Sequence, residues 1–480
     1  MTTASSPWAP LTIDARSEHA LPSTRATVVA LSLGLGAAYV LPEGVPGAGI
    51  VVLGAAAAIA LRWLHGSSLR GWQAVHALLA MALLACLAWR DAPWVVALDL
   101  LGSFALGSLA LAPSQTWAGI IRSAILPAPA AAASAAWFSR GVSRLARRRS
   151  PSHHLVRGLA LTGVLLAIFL PLLTSADRQF ADLMDTLLPG LPDLGLLPAR
   201  AVLFVFASCG VAGGIRVMQS GPSELVLPPA RHALRRRSEW ALPLGVLTAL
   251  LGLFVLTQLR EITHGRAHVL ATDGVTYASY AHAGFFQLLA VTALVLAVVA
   301  AASRWAPRSA RPWLGALCLL ALAVDASALL RLHLYADAYG LTRLRITASA
   351  VSLWLGVVIV LVLAAAVLKG RWLPNSVVLS AAVGLLALTA YNPDARIARS
   401  QLARPAGPDL VYLAGLSADA VDVIGALPAA DRDCLLRPMR TLGHGSWTEA
   451  NLARHHAAVT AKRLLADATV RDCPAYSLPD

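Results

Sequence analysis

Long apolar runs alternate with short polar segments between residues 25 and 390. A helix needs about 20 mostly apolar residues to cross the hydrocarbon core of a bilayer, and runs of that length recur through this region. The pattern predicts an all-α, polytopic integral membrane protein with about 11 transmembrane helices. The predicted spans are 25–42, 46–63, 72–89, 93–112, 155–174, 199–218, 240–258, 280–302, 313–334, 346–368 and 373–390.

One further apolar segment, 117–137, is interrupted by Arg122, Pro127 and Pro129. As a twelfth span it would move the arginines between 140 and 149 to the other side of the membrane. We therefore interpret it as an interfacial or re-entrant segment on the cytoplasmic face.

The same pattern divides the chain into five segments. The tail after residue 390 is polar, with short helical patterns, and we expect it to be small, mostly helical and extracytoplasmic. The segments are a cytoplasmic N-terminal segment (1–24), a first four-helix transmembrane group (25–112), an Arg-rich cytoplasmic loop with the interfacial segment (113–154), a seven-helix transmembrane core (155–390) and the tail (391–480).

Composition strengthens the membrane prediction. Apolar residues make up 57% of the 480 residues and charged residues only 13%, about half the usual quarter. A soluble enzyme cannot bury so large an apolar fraction. A disordered chain requires the opposite composition, with low hydrophobicity and high charge.

The formal net charge of +14 gives an orientation. With the N-terminus inside, the inner segments hold 21 Lys and Arg residues and the short outer loops hold eight, as the positive-inside rule requires. An odd number of spans then places the C-terminus outside the cell. The excess charge faces the cytoplasm, where we expect anionic lipid headgroups rather than nucleic acid as its partners.

Two carboxylates lie inside predicted spans, Asp325 and Asp99. Ionisable residues in a span are costly and usually mark function. Either residue would carry a proton, an ion or a cationic group. The alternative is a structural role, such as an ion pair between helices with Arg331.

A second polar cluster is predicted at the outer membrane surface. Tyr280 and Gln287 are seven residues apart and share a helix face at the start of the eighth span. Residues at the end of the ninth span and just after it complete the cluster. Interfacial anchoring explains Tyr and Arg there, and a cationic mouth for an anion or a phosphate headgroup is the sharper hypothesis. These residues are Arg331, Tyr335, Tyr339 and Arg343.

Two of the five cysteines, Cys434 and Cys473, lie in the tail. An extracytoplasmic tail would permit a disulfide between them. Neither has the spacing of a zinc site, and no catalytic motif is present. We therefore expect no metal and no cofactor, and the sequence favours a protein that is not an enzyme.

Several segments resemble one family. They are 175–180, 277–289, 327–345 and 409–421, and the strongest match is the stretch 331–345. The resemblance is to the bacterial polytopic membrane family catalogued as domain of unknown function four-one-seven-three, near four-one-five-three. It runs from about residue 155 to about residue 425. It implies a multi-pass protein of the bacterial plasma membrane and implies no activity.

Three functions remain open. Small-molecule or ion transport rests on the many spans and on Asp99 and Asp325. A membrane sensor, scaffold or regulatory protein would act through the external tail, with an unknown small ligand or protein partner. A membrane enzyme acting on a lipid-linked substrate ranks lowest, because the first outer loop is short and offers only Glu43.

Overall fold

The computed structural model describes residues 23–41, 45–66, 69–125, 127–149, 196–219, 236–263, 277–368, 370–404, 407–443 and 445–466, with a few isolated positions between 162 and 183. Over these residues the chain is helical and contains no strand. The long helices are α1 (Thr24–Val40), α2 (Ala48–His65), α3 (Trp72–Cys86), α4 (Pro93–Leu111), α5 (Trp117–Ile125), α6 (Pro127–Arg149), α7 (Leu197–Gln219), α8 (Arg237–Thr263), α9 (Tyr277–Trp305), α10 (Arg311–Tyr339), α11 (Arg343–Val367) and α12 (Leu373–Tyr391).

The tail forms shorter helices. They are α13 (Pro393–Leu402), α14 (Leu410–Ala414), α15 (Val421–Ile424), α16 (Ala429–Leu436) and α17 (Leu452–Leu464). Short 3-10 helices lie at Arg308–Ala310, Gly370–Trp372, Ala418–Ala420, Arg437–Thr441 and Trp447–Glu449.

Eight of the described helices are long and apolar enough to cross a membrane, which supports an integral membrane protein. They are α2, α4 and α7 to α12. Helices α5 and α6 are bent by 53° relative to each other, and together they form either a broken ninth span or a re-entrant loop. Helices α1 and α3 are apolar but have only 17 and 15 residues. The predicted count of about 11 is thus not confirmed, and most of the predicted span 155–174 lies outside the described residues.

Local sequence fixes where the helices begin and end. Ser23 caps α1 by accepting a hydrogen bond from the amide of Ala26 at 3.1 Å, and Thr342 caps α11 in the same way, as short hydroxyl side chains do at helix N-termini. Gly340 separates α10 from α11 with a φ of +78°. A side chain at Gly340 would be strained, and its Cβ would lie 3.1 Å from Arg404.

Contacts divide the chain into two compact units. The first comprises Met1–Asp91, Val96–Leu225 and Gly443–His455. Within it α7 packs against α1 and α6. A Cβ at Gly213 of α7 would lie 2.6 Å from the backbone nitrogen of Ala131 in α6. Small residues therefore let these helices approach closely, as is common in membranes.

The second unit comprises Ala92–Val95, Val226–Leu442 and His456–Asp480. Its central helix is α10, which packs against α8, α9 and α11. The core of this unit is built from apolar side chains of these four helices. The middle of α10 is therefore surrounded by protein on several sides, and this is where Asp325 lies.

Candidate functional site

Asp325 is a buried carboxylate in the contact between α10 and α11. Its exposure is 2%. Its Oδ1 accepts a hydrogen bond of 2.6 Å from the Ser352 hydroxyl of α11. Among the described residues this serine, rather than an arginine, is the hydrogen-bonding partner of the carboxylate. A buried carboxylate with so little compensation is costly within a membrane span.

The second carboxylate oxygen of Asp325 lies beside Gly356, one helical turn after Ser352. A Cβ at Gly356 would lie 3.3 Å from Asp325 Oδ2. The glycine therefore allows this oxygen to lie close to the α11 backbone, where a side chain would crowd it. The other oxygen accepts the hydrogen bond from the Ser352 hydroxyl.

A cleft of about 370 Å³ reaches Asp325 between α10 and α11. Its walls are aliphatic and include Leu322, Leu353, Val357 and Val360. Asp325 is the only ionisable residue among the described residues that line it. A proton or a small cation at the carboxylate, or an amine or hydroxyl group on an apolar molecule, fits this chemistry.

In the structure, the residues of the predicted outer cluster contact several different groups. Arg331 donates to Gln258 Oε1 of α8, which also accepts from the Ser327 hydroxyl at 3.1 Å. The Arg345 guanidinium lies over the Tyr335 ring, 4.3 Å from its centroid. Arg331 and Tyr335 thus contact groups that sequence reasoning did not single out.

The remaining residues of the predicted cluster have no common contact among the described ones. Tyr339 is 40% exposed, and its ring is tilted by 35° relative to the Tyr335 ring, with centroids 4.9 Å apart. Gln287 is exposed. The side chain of Tyr280 lies outside the described residues. A shared groove formed by Tyr280, Arg331 and Arg343, which would favour a lipid-linked substrate, is not among the described features.

Arg343 turns toward the tail and pairs with Asp394. The two side chains are joined at 2.9 Å between Arg343 Nη2 and Asp394 Oδ2. The same guanidinium donates to the Gly415 carbonyl at 2.8 Å, and the Arg343 amide donates to the Tyr412 hydroxyl at 3.1 Å. Arg343 is therefore a structural link between the start of α11 and the tail.

Asp394 is the hub of this junction, with a side chain that is 0% exposed. Besides Arg343 it accepts hydrogen bonds from the Trp94 indole at 3.1 Å and from the Ser417 amide at 3.0 Å. Burial opposes ionisation, but these bonds outweigh it and lower the pKa of Asp394 below its usual value. We call Arg343, Asp394, Trp94, Tyr412 and Ser417 the tail junction.

Sequence reasoning missed Asp394. A local signal was present in Asn392-Pro393-Asp394, because Asn and Pro favour helix starts. Asn392 adopts a φ of +53° and its side chain caps α13 by accepting from the Ala395 amide. Its amide also donates to the Asp419 carbonyl. The signal predicts the helix start but not the distant partners of Asp394.

Another part of the tail is attached within the first unit. Asn451 donates to the carbonyls of Leu87 and Arg90, both at 2.8 Å. Arg454 is buried and lies 3.3 Å from Asp91. These bonds fasten the segment 445–454 to the loop between α3 and α4.

Three predictions from the sequence concern other residues. Asp99 lies in α4 and is 1% exposed. Cys434 is disulfide-bonded, but Cys473 lies outside the described residues, so their pairing stays a prediction. No group of three or more metal-ligating side chains occurs in the part of the chain that the structure describes.

The comparisons with known proteins give a family. A family model described as Domain of unknown function (DUF4153) matches residues 77–427, which is more than half of the 480 residues. No curated protein and no solved structure matches the chain. The predicted resemblance was right in kind, but its family number was wrong and its start near residue 155 was too late. The chain belongs to the DUF4153 family, a domain of unknown function.

Proposed function

We propose that this protein has a transport-like function in which Asp325 reversibly binds a proton or a small cation. The observation that carries this proposal is a carboxylate of 2% exposure at an apolar cleft, with one hydroxyl as its hydrogen-bonding partner among the described residues. A purely structural buried carboxylate is normally saturated with hydrogen bonds or paired with a cation. In the described part of the chain Asp325 has one such bond, and it lines the cleft.

Electrical measurements on the reconstituted protein test this proposal. A jump in proton or Na⁺ concentration at a supported membrane should produce a transient current in the wild type. Asp325→Asn should lower the current, whereas Asp337→Asn, at an exposed carboxylate of the same helix, should leave it unchanged. No current in the wild type, or an unchanged current in Asp325→Asn, would contradict the proposal.

We also propose the orientation predicted from charge, with about 11 spans in a bacterial plasma membrane, the N-terminus inside and the tail outside. The tail contacts loops that the charge pattern places on the outer side, near Arg90 and Arg343. The Arg-rich end of α6 would then meet anionic lipid headgroups. In whole cells, a membrane-impermeant thiol reagent should label Ala430→Cys and not His65→Cys. The reverse labelling would contradict the orientation.

A second candidate function is a fixed scaffold or sensor that acts through the tail. The tail junction supports it, because Asp394 and Arg343 hold the tail to the start of α11. In this case the tail would present a defined surface to a ligand or protein partner. A cellular phenotype that is lost in Arg343→Ala and kept in Asp325→Asn would favour this function over transport.

A further inference from the structure

The contact between α3 and α4, in the first unit, carries a row of polar side chains. On α4, Asp99 and Ser103 are four residues apart and therefore share a helix face. On α3, Gln73 and His76 are three residues apart and also share a face. The two faces meet, because Ser103 donates to the Ala80 carbonyl of α3 at 2.9 Å.

A second bond fixes how the two helices align. Gln73 Nε2 donates to the Ala110 carbonyl of α4 at 3.5 Å. Together the two bonds set one antiparallel register, in which Gly107 of α4 comes opposite His76. From Asp99 to Ala110 the helix rises about 16 Å at about 1.5 Å per residue. The row therefore covers about half of a hydrocarbon core of about 30 Å.

His76 is the central member of this row. Its exposure is 0%, and neither ring nitrogen has a hydrogen-bond partner among the described residues. Buried polar groups are normally bonded to protein or to ordered water. Space next to Gly107 is open, since a Cβ on this glycine would meet no atom within 4 Å.

We propose that Asp99, Ser103 and His76, with Gln73 as a hydrogen-bonding neighbour, form a polar lane that relays protons through the first unit along hydrogen-bonded water. Imidazole, carboxylate and hydroxyl groups can each take part in proton transfer. A neutral imidazole accepts a proton on one nitrogen and releases another from its second nitrogen. A carboxylate accepts and returns a proton, and a hydroxyl both donates and accepts. Each proton that enters at one end is matched by one that leaves at the other, so no other reactant is needed.

Proton flux into vesicles tests the polar lane. The full chain is reconstituted around the pH-sensitive dye pyranine, and valinomycin with a K⁺ gradient supplies the driving voltage. We expect flux above that of protein-free vesicles, reduced at least about tenfold in His76→Gln and in Asp99→Asn. Asp325→Asn should retain this flux, which separates the polar lane from the proposed function of the second unit.

A matched pair of glycine variants controls for misfolding of the substituted protein. A Cβ added at Gly107, or at Gly210 of α7, would meet no atom within 4 Å, so both leucine variants should fold. Gly107→Leu should block the flux by filling the space opposite His76, and Gly210→Leu should not. No flux in the wild type, equal flux in both glycine variants, or loss of flux in Asp325→Asn alone would overturn the proposal.

Discussion

Asp325 and Asp394 are both buried aspartates of the second unit, and they have opposite surroundings. Asp394 receives bonds from a guanidinium, an indole and a backbone amide. Asp325 receives one bond from a serine hydroxyl and faces an apolar cleft. Burial alone is thus a poor guide to the role of a carboxylate, and its partners are more informative.

The difference indicates what each residue contributes. A fully bonded carboxylate stabilises the fold, because it satisfies several groups at once and would leave them unpaired if it were removed. A sparsely bonded carboxylate contributes little stability and keeps the capacity to bind something else. Asp394 therefore belongs to the architecture, and Asp325 is the better candidate for chemistry.

The largest predicted effect is on stability at the tail junction. Asp394→Ala should destabilise the protein by about 3 kcal/mol, the lower end for breaking a buried ion pair, because Arg343 is 37% exposed. Thermal unfolding in detergent measures this change. Asp337→Ala, at an exposed carboxylate, is the matched control and should change stability little. Equal unfolding temperatures for the two variants would contradict the assigned role of Asp394.

Acid should remove the same stabilisation gradually. The pKa of Asp394 is lowered in the folded protein, so its contribution is complete above its unfolded pKa of about 3.9. The contribution is lost as the pH falls through the folded pKa. The stability difference between the wild type and Asp394→Asn should therefore narrow as the pH falls below about 4. A difference that stays constant over this range would show that Asp394 is not ionised in the fold.

A substitution in the turn between α10 and α11 should destabilise the protein less than Asp394→Ala does. Gly340→Ala should destabilise the protein by about 2 kcal/mol, because it places a side chain at a φ of +78° and close to Arg404 and Gln401. Gly384→Ala in α12, where a Cβ has no neighbour within 4 Å, is the control and should be neutral or slightly stabilising. Thermal unfolding of both variants checks the prediction, and a loss in Gly384→Ala alone would contradict it.

The smallest predicted effect on stability is at Asp325. Asp325→Asn keeps an oxygen that can accept the Ser352 hydroxyl, so its stability should stay within about 0.5 kcal/mol of the wild type. Thermal unfolding of Asp325→Asn and Asp394→Asn under the same conditions compares the two carboxylates directly. A loss at Asp325 as large as that at Asp394 would make both carboxylates structural.

The sequence predicted each of the eight described helices that are long enough to span, because span length follows from bilayer thickness. It also placed Asp325 and Asp99 inside spans, since each interrupts an apolar run. It could not give their partners. Ser352 meets Asp325 only through the packing of α10 on α11, and Asp394 meets Arg343 across 51 residues. Arg343 lies near a predicted membrane surface, and this position suggested a ligand site. In the structure its guanidinium instead bonds Asp394 and the Gly415 carbonyl of the tail.

Carbodiimide labelling tests the central contrast most directly. Dicyclohexylcarbodiimide is apolar and reacts with protonated carboxyl groups, so it distinguishes a carboxyl that takes up protons within the membrane from one held ionised by an arginine. The wild-type protein is treated in proteoliposomes and the modified residue is located by peptide mass spectrometry. We predict modification at Asp325, none at Asp394, and loss of the label in Asp325→Asn. Labelling of Asp394 with an unreactive Asp325 would contradict the account.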